Sequence, residues 1–177
     1  MVEHLWAGWR NRYVRGGIVG SGEDGARPPV DIDEGQTLFE AILHADVPDR
    51  DTLIVWRGEL VFALLNAYPY TSGHLMVLPK RAVRQLDELD DDEYGELWHG
   101  VRLATRAVQT AYAPHGINVG ANLGRGAGAG IPDHLHVHVL PRWESDTNFM
   151  TAIADTRVVP ESLGVTWERV REAWPTP

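Results

Sequence analysis

DHLHVHVLPRW, residues 133–143, sets His134, His136 and His138 at alternate positions inside an apolar run. Successive side chains of a strand point to opposite faces, so residues i, i+2 and i+4 line one of them. HLHVHVLP is therefore expected to be a strand ended by Pro141. Its three imidazoles share one face, while Leu135, Val137 and Val139 point into the core. One histidine on a strand is ordinarily a hydrogen-bonded structural residue. Three at strict period 2 ask for a further reason.

Two chemistries compete for that role. A His-x-His pair can ligate zinc with a third ligand from elsewhere, but three histidines along one strand converge poorly on a tetrahedral ion. No cluster of Asp, Glu or Cys completes such a site. The other chemistry is covalent. A histidine of ordinary pKa, about 6.5, is roughly three-quarters neutral at pH 7, and the neutral ring is a nucleophile. Flanking histidines oppose one another's charging and keep the central one available for attack. The outer rings can hold the oxygens of the attacked group through their N–H donors, which suits a phosphate ester or anhydride.

Composition narrows the field. The chain has 177 residues, 44% of them hydrophobic and 23% charged, as in an ordinary globular domain. Cysteine is absent, which removes disulfides, thiolate nucleophiles and cysteine-bound zinc. A formal charge of −9 argues against a nucleic-acid polymer as partner, though not against a small anionic ligand. The sequence contains no apolar run of membrane-spanning length, and its start lacks a signal-peptide pattern, so a cytoplasmic protein without membrane contact is expected.

Outward from the histidines, EHLWAGWRNRYVRG reads as a short amphipathic segment, followed by a Gly- and Pro-rich connector without the Gly-Lys-Ser/Thr of a phosphate loop. QTLFEAILHAD reads as a short helix. DTLIVWRGELVFALLNAYPY reads as two strands joined at Arg57-Gly58, and GHLMVLPKR as a third that stops near Pro79. The strongest helix signal follows, with Leu97, Val101, Ala104, Val108 and Ala111 on one face. Asp90 and Glu93 form its capping box, so the acidic run there is a helix start and not a metal site. GINVGANLG alternates like a strand, and RGAGAGIPD is a Gly-rich loop. GVTWERVREAW near the end reads as a last helix. Strands in hairpin order interrupted by one long helix indicate an α+β fold with an antiparallel sheet of about five strands.

HLHVHVL resembles the His-φ-His-φ-His-φ-φ signature of the histidine-triad (HIT) family of nucleotidyl hydrolases and transferases. FALLNAYPYTSGHLMVLPKR is similar to that family's strand–turn–strand block, and NVGANLGRGAG to its segment before the triad. The likeness covers roughly residues 36–145. LWAGWRNRY and PRWESDTNFM are most similar to bacterial diadenosine tetraphosphate phosphorylase-type members. The resemblance implies a HIT-like fold with one long helix and shorter helices, and three parts of the chain. These are an N-terminal extension and flexible loop (1–35), the catalytic domain (36–145), and a C-terminal extension whose helix packs on that domain (146–177).

By the same resemblance, His136 is the nucleophile that takes the nucleotidyl group, flanked by His138 and His134 as phosphate partner and orienter. Asn66 falls where the family binds the ribose hydroxyls, and Asn122 where it sets an amide near the phosphate. His74 matches a frequent family histidine and is expected to be structural. Gly128 and Gly130, in the loop that also holds Gly124 and Gly126, are candidates for a backbone anion nest. Arg125 is a candidate for the distal phosphates. Trp143 either lines the cleft or closes the dimer or the core.

The implied activity is phosphorolysis or hydrolysis of a dinucleoside polyphosphate by a homodimer. Alternatives are hydrolysis of a nucleoside phosphoramidate or adenylate conjugate, a non-catalytic nucleotide-binding protein, and a zinc hydrolase. No resident cofactor is implied; a divalent cation could accompany the substrate's polyphosphate. Two departures stand out. Ala129, Gly130, Ile131 and Pro132 carry no hydroxyl where many members have Ser or Thr before the triad. The Cys pair and the His after PKR that bind structural zinc in some bacterial members are also missing, Ala82 standing after Arg81, so no structural metal is expected.

Overall fold

The computed structural model describes residues 30–144, 146 and 161–176. The expected amphipathic segment at the start lies outside them, as does most of the connector that follows it. The described residues form α1 (Leu38–His44), α2 (Asp49–Thr52), β1 (Ile54–Arg57), β2 (Val61–Leu65), β3 (Leu75–Pro79), α3 (Asp91–Tyr112), β4 (Gly116–Ala121), β5 (Val137–Arg142) and α4 (Leu163–Ala173). The strands make one antiparallel sheet in the order β1-β2-β3-β5-β4. The last strand in sequence therefore enters the interior of the sheet, between β3 and β4.

Burial on both faces explains why β2 and β3 read as nearly continuous apolar runs. Val61, Ala63, Leu65, Leu75, Val77, Val137 and Val139 belong to a core shared with Leu97, Val101, Ala104 and Val108 of α3 and Val170 of α4. Their alternates Phe62, Leu64, Met76 and Leu78 join Phe39, Ile42 and Leu43 of α1 in a second, smaller core. Met76 is the cross-strand partner of His138, so the histidine face is the face that α1 covers.

Local chemistry sets the ends of these elements. Thr37 caps α1 in a capping box with Glu40, and Asp90 caps α3 in the expected box with Glu93. Glu93 is further tied to Arg81 through a charge-paired contact of 2.6 Å. Asp51 and Thr52, expected at the start of a strand, instead belong to the turn of α2. At the β1 edge, Trp167 Nε1 donates to the Ile54 carbonyl (2.8 Å) and Arg171 to the Val55 carbonyl (2.7 Å). Trp174 stacks on Trp56 with ring centres 5.7 Å apart. α4 thus covers an edge that would otherwise expose unpaired backbone groups.

The histidine strand differs from expectation at both ends. β5 starts at Val137 and runs through Pro141 to Arg142. Pro141 is tolerated because its carbonyl, and hence the nitrogen on the same side, faces Thr71 Oγ1 (3.2 Å), beyond the last β3 pair at Val139. Ahead of the strand, Leu135 N donates to Val83 O (2.6 Å), so His134 and His136 sit on an irregular lead-in tied to the segment after β3.

Leu97 is fully buried where α3 meets the sheet. Leu97→Ala should lower unfolding stability by about 2–5 kcal/mol through lost burial and a residual cavity. Urea denaturation followed by tryptophan fluorescence reads this directly, and a change under about 0.5 kcal/mol would contradict the packing described.

Candidate active site

The three triad histidines are buried, with relative exposures of 0% (His134), 7% (His136) and 8% (His138). Buried polar rings need hydrogen-bond partners, and here the partners fix where each ring carries its proton. His136 Nδ1 lies 2.8 Å from the carbonyl oxygen of His134. A carbonyl only accepts, so Nδ1 carries the hydrogen and the lone pair of the neutral ring sits on Nε2. That is the tautomer a nucleophile requires.

His138 takes the opposite form. The Tyr70 backbone N–H donates to His74 Nδ1 (3.1 Å), with the Asn66 amide nitrogen also nearby at 3.4 Å. His74 must then carry its hydrogen on Nε2, which lies 2.9 Å from His138 Nδ1. That contact makes His138 Nδ1 an acceptor and assigns the proton of neutral His138 to Nε2. Two neighbouring rings, 5.0 Å apart and nearly perpendicular, thus present different groups: a lone pair on one and an N–H on the other.

His74 was expected to be structural, and it is built into the strand entrance. It also decides the tautomer of a triad ring, from 64 residues away. Gly73, just before it, holds φ +80, and a Cβ there would come within 2.7 Å of the Tyr112 ring. Tyr70 packs on His74 at 4.6 Å between ring centres. His134 is pinned at both nitrogens: Nε2 donates to Pro79 O (2.8 Å), and Nδ1 meets Thr37 Oγ1 (2.8 Å). Phe39 lies 5.4 Å from the ring centres of both His134 and His136. Neither Thr37 nor Phe39 stood out in the sequence, since a helix cap and an apolar helix residue fully account for them locally.

The other candidates are placed less uniformly. Asn66 joins the His74 relay, and its side-chain oxygen accepts from Tyr68 N (2.9 Å). Asn122 follows directly on the Ala121–Val137 pair, level with His136. In the Gly-rich loop, residues 125–127 form a single 3₁₀ turn with Arg125 exposed. The N–H of Gly128 donates to Arg125 O (3.0 Å) and that of Ala129 to Gly124 O (3.3 Å). The Gly128 amide expected in an anion nest is therefore engaged within the turn. Trp143 sets its edge against Tyr112, 6.2 Å between centres, which seats it on α3. Among the described residues no group of three His, Cys, Asp or Glu is arranged to hold a metal ion.

Burial lowers the pKa of both His134 and His136 below the ordinary 6.5. The sign of the consequence follows. Below 6.5 the unfolded chain takes protons on these rings before the folded one does, so acidification favours unfolding. Urea midpoints should be level above about pH 7 and fall as the pH drops from 6.5 toward the lowered values of the folded rings. Midpoints that stay constant down to about pH 5.5 would mean that the rings are charged in the fold.

Comparison with known proteins places the chain in a family. The HIT domain model matches residues 47–145. The chain is 39% identical over 176 residues, 98% of its length, to the AP-4-A phosphorylase of Mycobacterium tuberculosis, of which it covers 85%. Among solved structures, a HIT-like protein from Bartonella henselae superimposes with a TM-score of 0.64 at 23% identity, over 81% of this chain and 98% of that one. A histidine triad nucleotide-binding protein from Sulfolobus tokodaii gives 0.57 at 31% identity, over 68% and 82%. With a domain match that spans the triad and a relative alike along nearly its whole length, the chain belongs to the HIT family.

Proposed function

We propose that this protein cleaves a dinucleoside polyphosphate such as diadenosine tetraphosphate through a nucleotidyl group carried on His136. The observation that carries the reading is the pair of opposed tautomers. His136 Nε2 offers a lone pair to phosphorus, while His138 Nε2–H is the donor for oxygen that gains negative charge as the phosphoanhydride breaks. In the first step an N–P bond forms at His136 and the P–O bond to the leaving nucleotide breaks. In the second an acceptor oxygen attacks the same phosphorus and the N–P bond breaks, restoring the ring.

Asn66 would hold the ribose hydroxyls, Asn122 and the Gly130 amide the reacting phosphate, and Arg125 the distal phosphates. The catalytic domain spans residues 36–145, and the enzyme works in the cytoplasm. The name of the mycobacterial relative favours inorganic phosphate as acceptor. The stretch from Ala129 to Pro132, which has no side-chain hydroxyl, leaves the acceptor to be bound by backbone and by Asn122.

The test is ion-exchange analysis of the products from diadenosine tetraphosphate with and without phosphate. ADP plus ATP formed only with phosphate supports the phosphorylase. AMP plus ATP regardless of phosphate makes water the acceptor and the protein a hydrolase. His136→Ala should reduce either activity by at least about a thousandfold, and a variant that keeps its rate would rule out the covalent route.

A homodimer is also proposed, joined through β4. α4 covers the β1 edge, whereas β4 is a terminal strand of largely exposed residues, with Val119 43% exposed. An open edge invites pairing with a second copy. Sedimentation equilibrium should give twice the chain mass, and Val119→Lys should shift it toward the monomer by placing like charges across the joint. A wild-type monomer at micromolar concentration would refute the pairing.

A further inference from the structure

We infer that the N-terminal cap of α1, Thr37 with Glu40, is a positioning element that holds His136 in its nucleophilic tautomer by way of His134. The inference rests on the covalent reading above and adds residues lying outside the matched domain, which starts at residue 47.

The argument starts from a comparison inside the molecule. Two helices among the described residues begin with a capping box in which both reciprocal bonds are made, α1 and α3. In α3 the box is closed by Arg81, and its contacts end there. In α1 the cap hydroxyl does more than cap. Thr37 Oγ1 accepts from Glu40 N (3.3 Å) and lies 2.9 Å from Glu40 Oε2 and 2.8 Å from His134 Nδ1. A hydroxyl has one hydrogen to give, and two acceptors face it.

Pro79 O takes the Nε2 hydrogen of His134, so a neutral His134 has only a lone pair at Nδ1. Burial lowers the pKa of this ring and so favours its neutral form, and a buried lone pair wants a donor. We assign that donor to the Thr37 hydroxyl, whose single hydrogen both His134 Nδ1 (2.8 Å) and Glu40 Oε2 (2.9 Å) face. Glu40 is satisfied separately, because its carboxylate also accepts from the Thr37 backbone N–H (2.9 Å), and this bond holds its pKa low.

The His134 ring is thereby clamped between the end of β3 and the start of α1. Its own carbonyl is the acceptor that keeps the hydrogen of His136 on Nδ1. Phe39, two residues after the cap, packs against both rings, so the same helical turn supplies both the polar and the apolar restraint. Releasing the clamp lets the His134 main chain shift and lets His136 populate the Nε2–H form. That form has no lone pair at the position needed for attack.

The experiment uses full-length wild type, Thr37→Val, Thr37→Ser and Asp90→Ala. Valine keeps the shape and loses the hydroxyl; serine keeps the hydroxyl; Asp90→Ala removes the comparable cap of α3. Acid-quenched single turnovers with labelled diadenosine tetraphosphate measure formation of the nucleotidyl-enzyme. Thr37→Val should form it about tenfold more slowly with KM changed less than about twofold, while Thr37→Ser and Asp90→Ala stay within about twofold of wild type.

Imidazole 15N–1H correlation spectra of the substrate-free protein give a readout independent of turnover. Wild-type His136 should show its hydrogen on Nδ1, and Thr37→Val should gain a population with it on Nε2. The wild-type Thr37 hydroxyl proton should exchange slowly and correlate with His134 Nδ1, an observation that needs no variant to fold. A wild-type rate and spectrum in Thr37→Val overturns the inference, as does a loss in Asp90→Ala equal to that in Thr37→Val. Absence of any nucleotidyl-enzyme in wild type would instead remove the covalent reading and leave the tautomer measurement to judge the clamp alone.

Discussion

Burying imidazole rings in the interior of a sheet forces each ring nitrogen to find a partner of the right kind, and the rest of the site depends on that constraint. β5 lies between β3 and β4, with α3 and α4 on one face and α1 on the other. Water does not readily reach rings that are at most 8% exposed. Their hydrogens are therefore placed by protein groups that can only donate or only accept. A backbone carbonyl fixes His136 one way, and a backbone N–H acting through His74 fixes His138 the other. Chemically identical side chains acquire different roles without any difference in charge.

The same constraint explains why the apolar frame is so complete. The large core under α3 holds the valines of β5 in register. The smaller core under α1 excludes solvent from the histidine face and lowers the pKa of His134 and His136. Desolvation here favours the neutral, nucleophilic ring over the charged one, so packing and reactivity pull together. The two sheet edges are treated differently: α4 seals β1 by side-chain bonds to its carbonyls, and among the described residues no element covers β4 in the same way.

Much of this was legible in the sequence, because it rests on local periodicity. The alternation of histidine with aliphatic residues identified the polar and apolar faces of the lead-in and strand. The 3.6-residue spacing of Leu97, Val101, Ala104 and Val108 gave the long helix, and Asp90 with Glu93 gave its start. Boundaries were less legible. The strand was expected to end at Pro141, but a proline is excluded only where a ladder bond is needed, and β3 no longer pairs there. The lead-in holding His134 and His136 is bonded to Val83 and Pro79 outside the regular ladder.

What the sequence determined by itself is the identity and spacing of the triad histidines, the order of the strands and of the longer helices along the chain, and the family likeness those motifs carry. Each follows from residues within a few positions of one another. The carbonyl of His134, two residues away, sets the proton of His136, but tertiary structure alone decided which nitrogen of His134 and of His138 holds it. That answer comes from Pro79, Tyr70, His74 and Thr37, the last of them 97 residues from the ring it touches. It also decided that Gly128 closes its own turn with an amide expected to face a phosphate, and that Trp143 rests on Tyr112. Hydrogen-bond partners across a sheet are chosen by strand order and register, and a linear pattern of residues does not encode those distances.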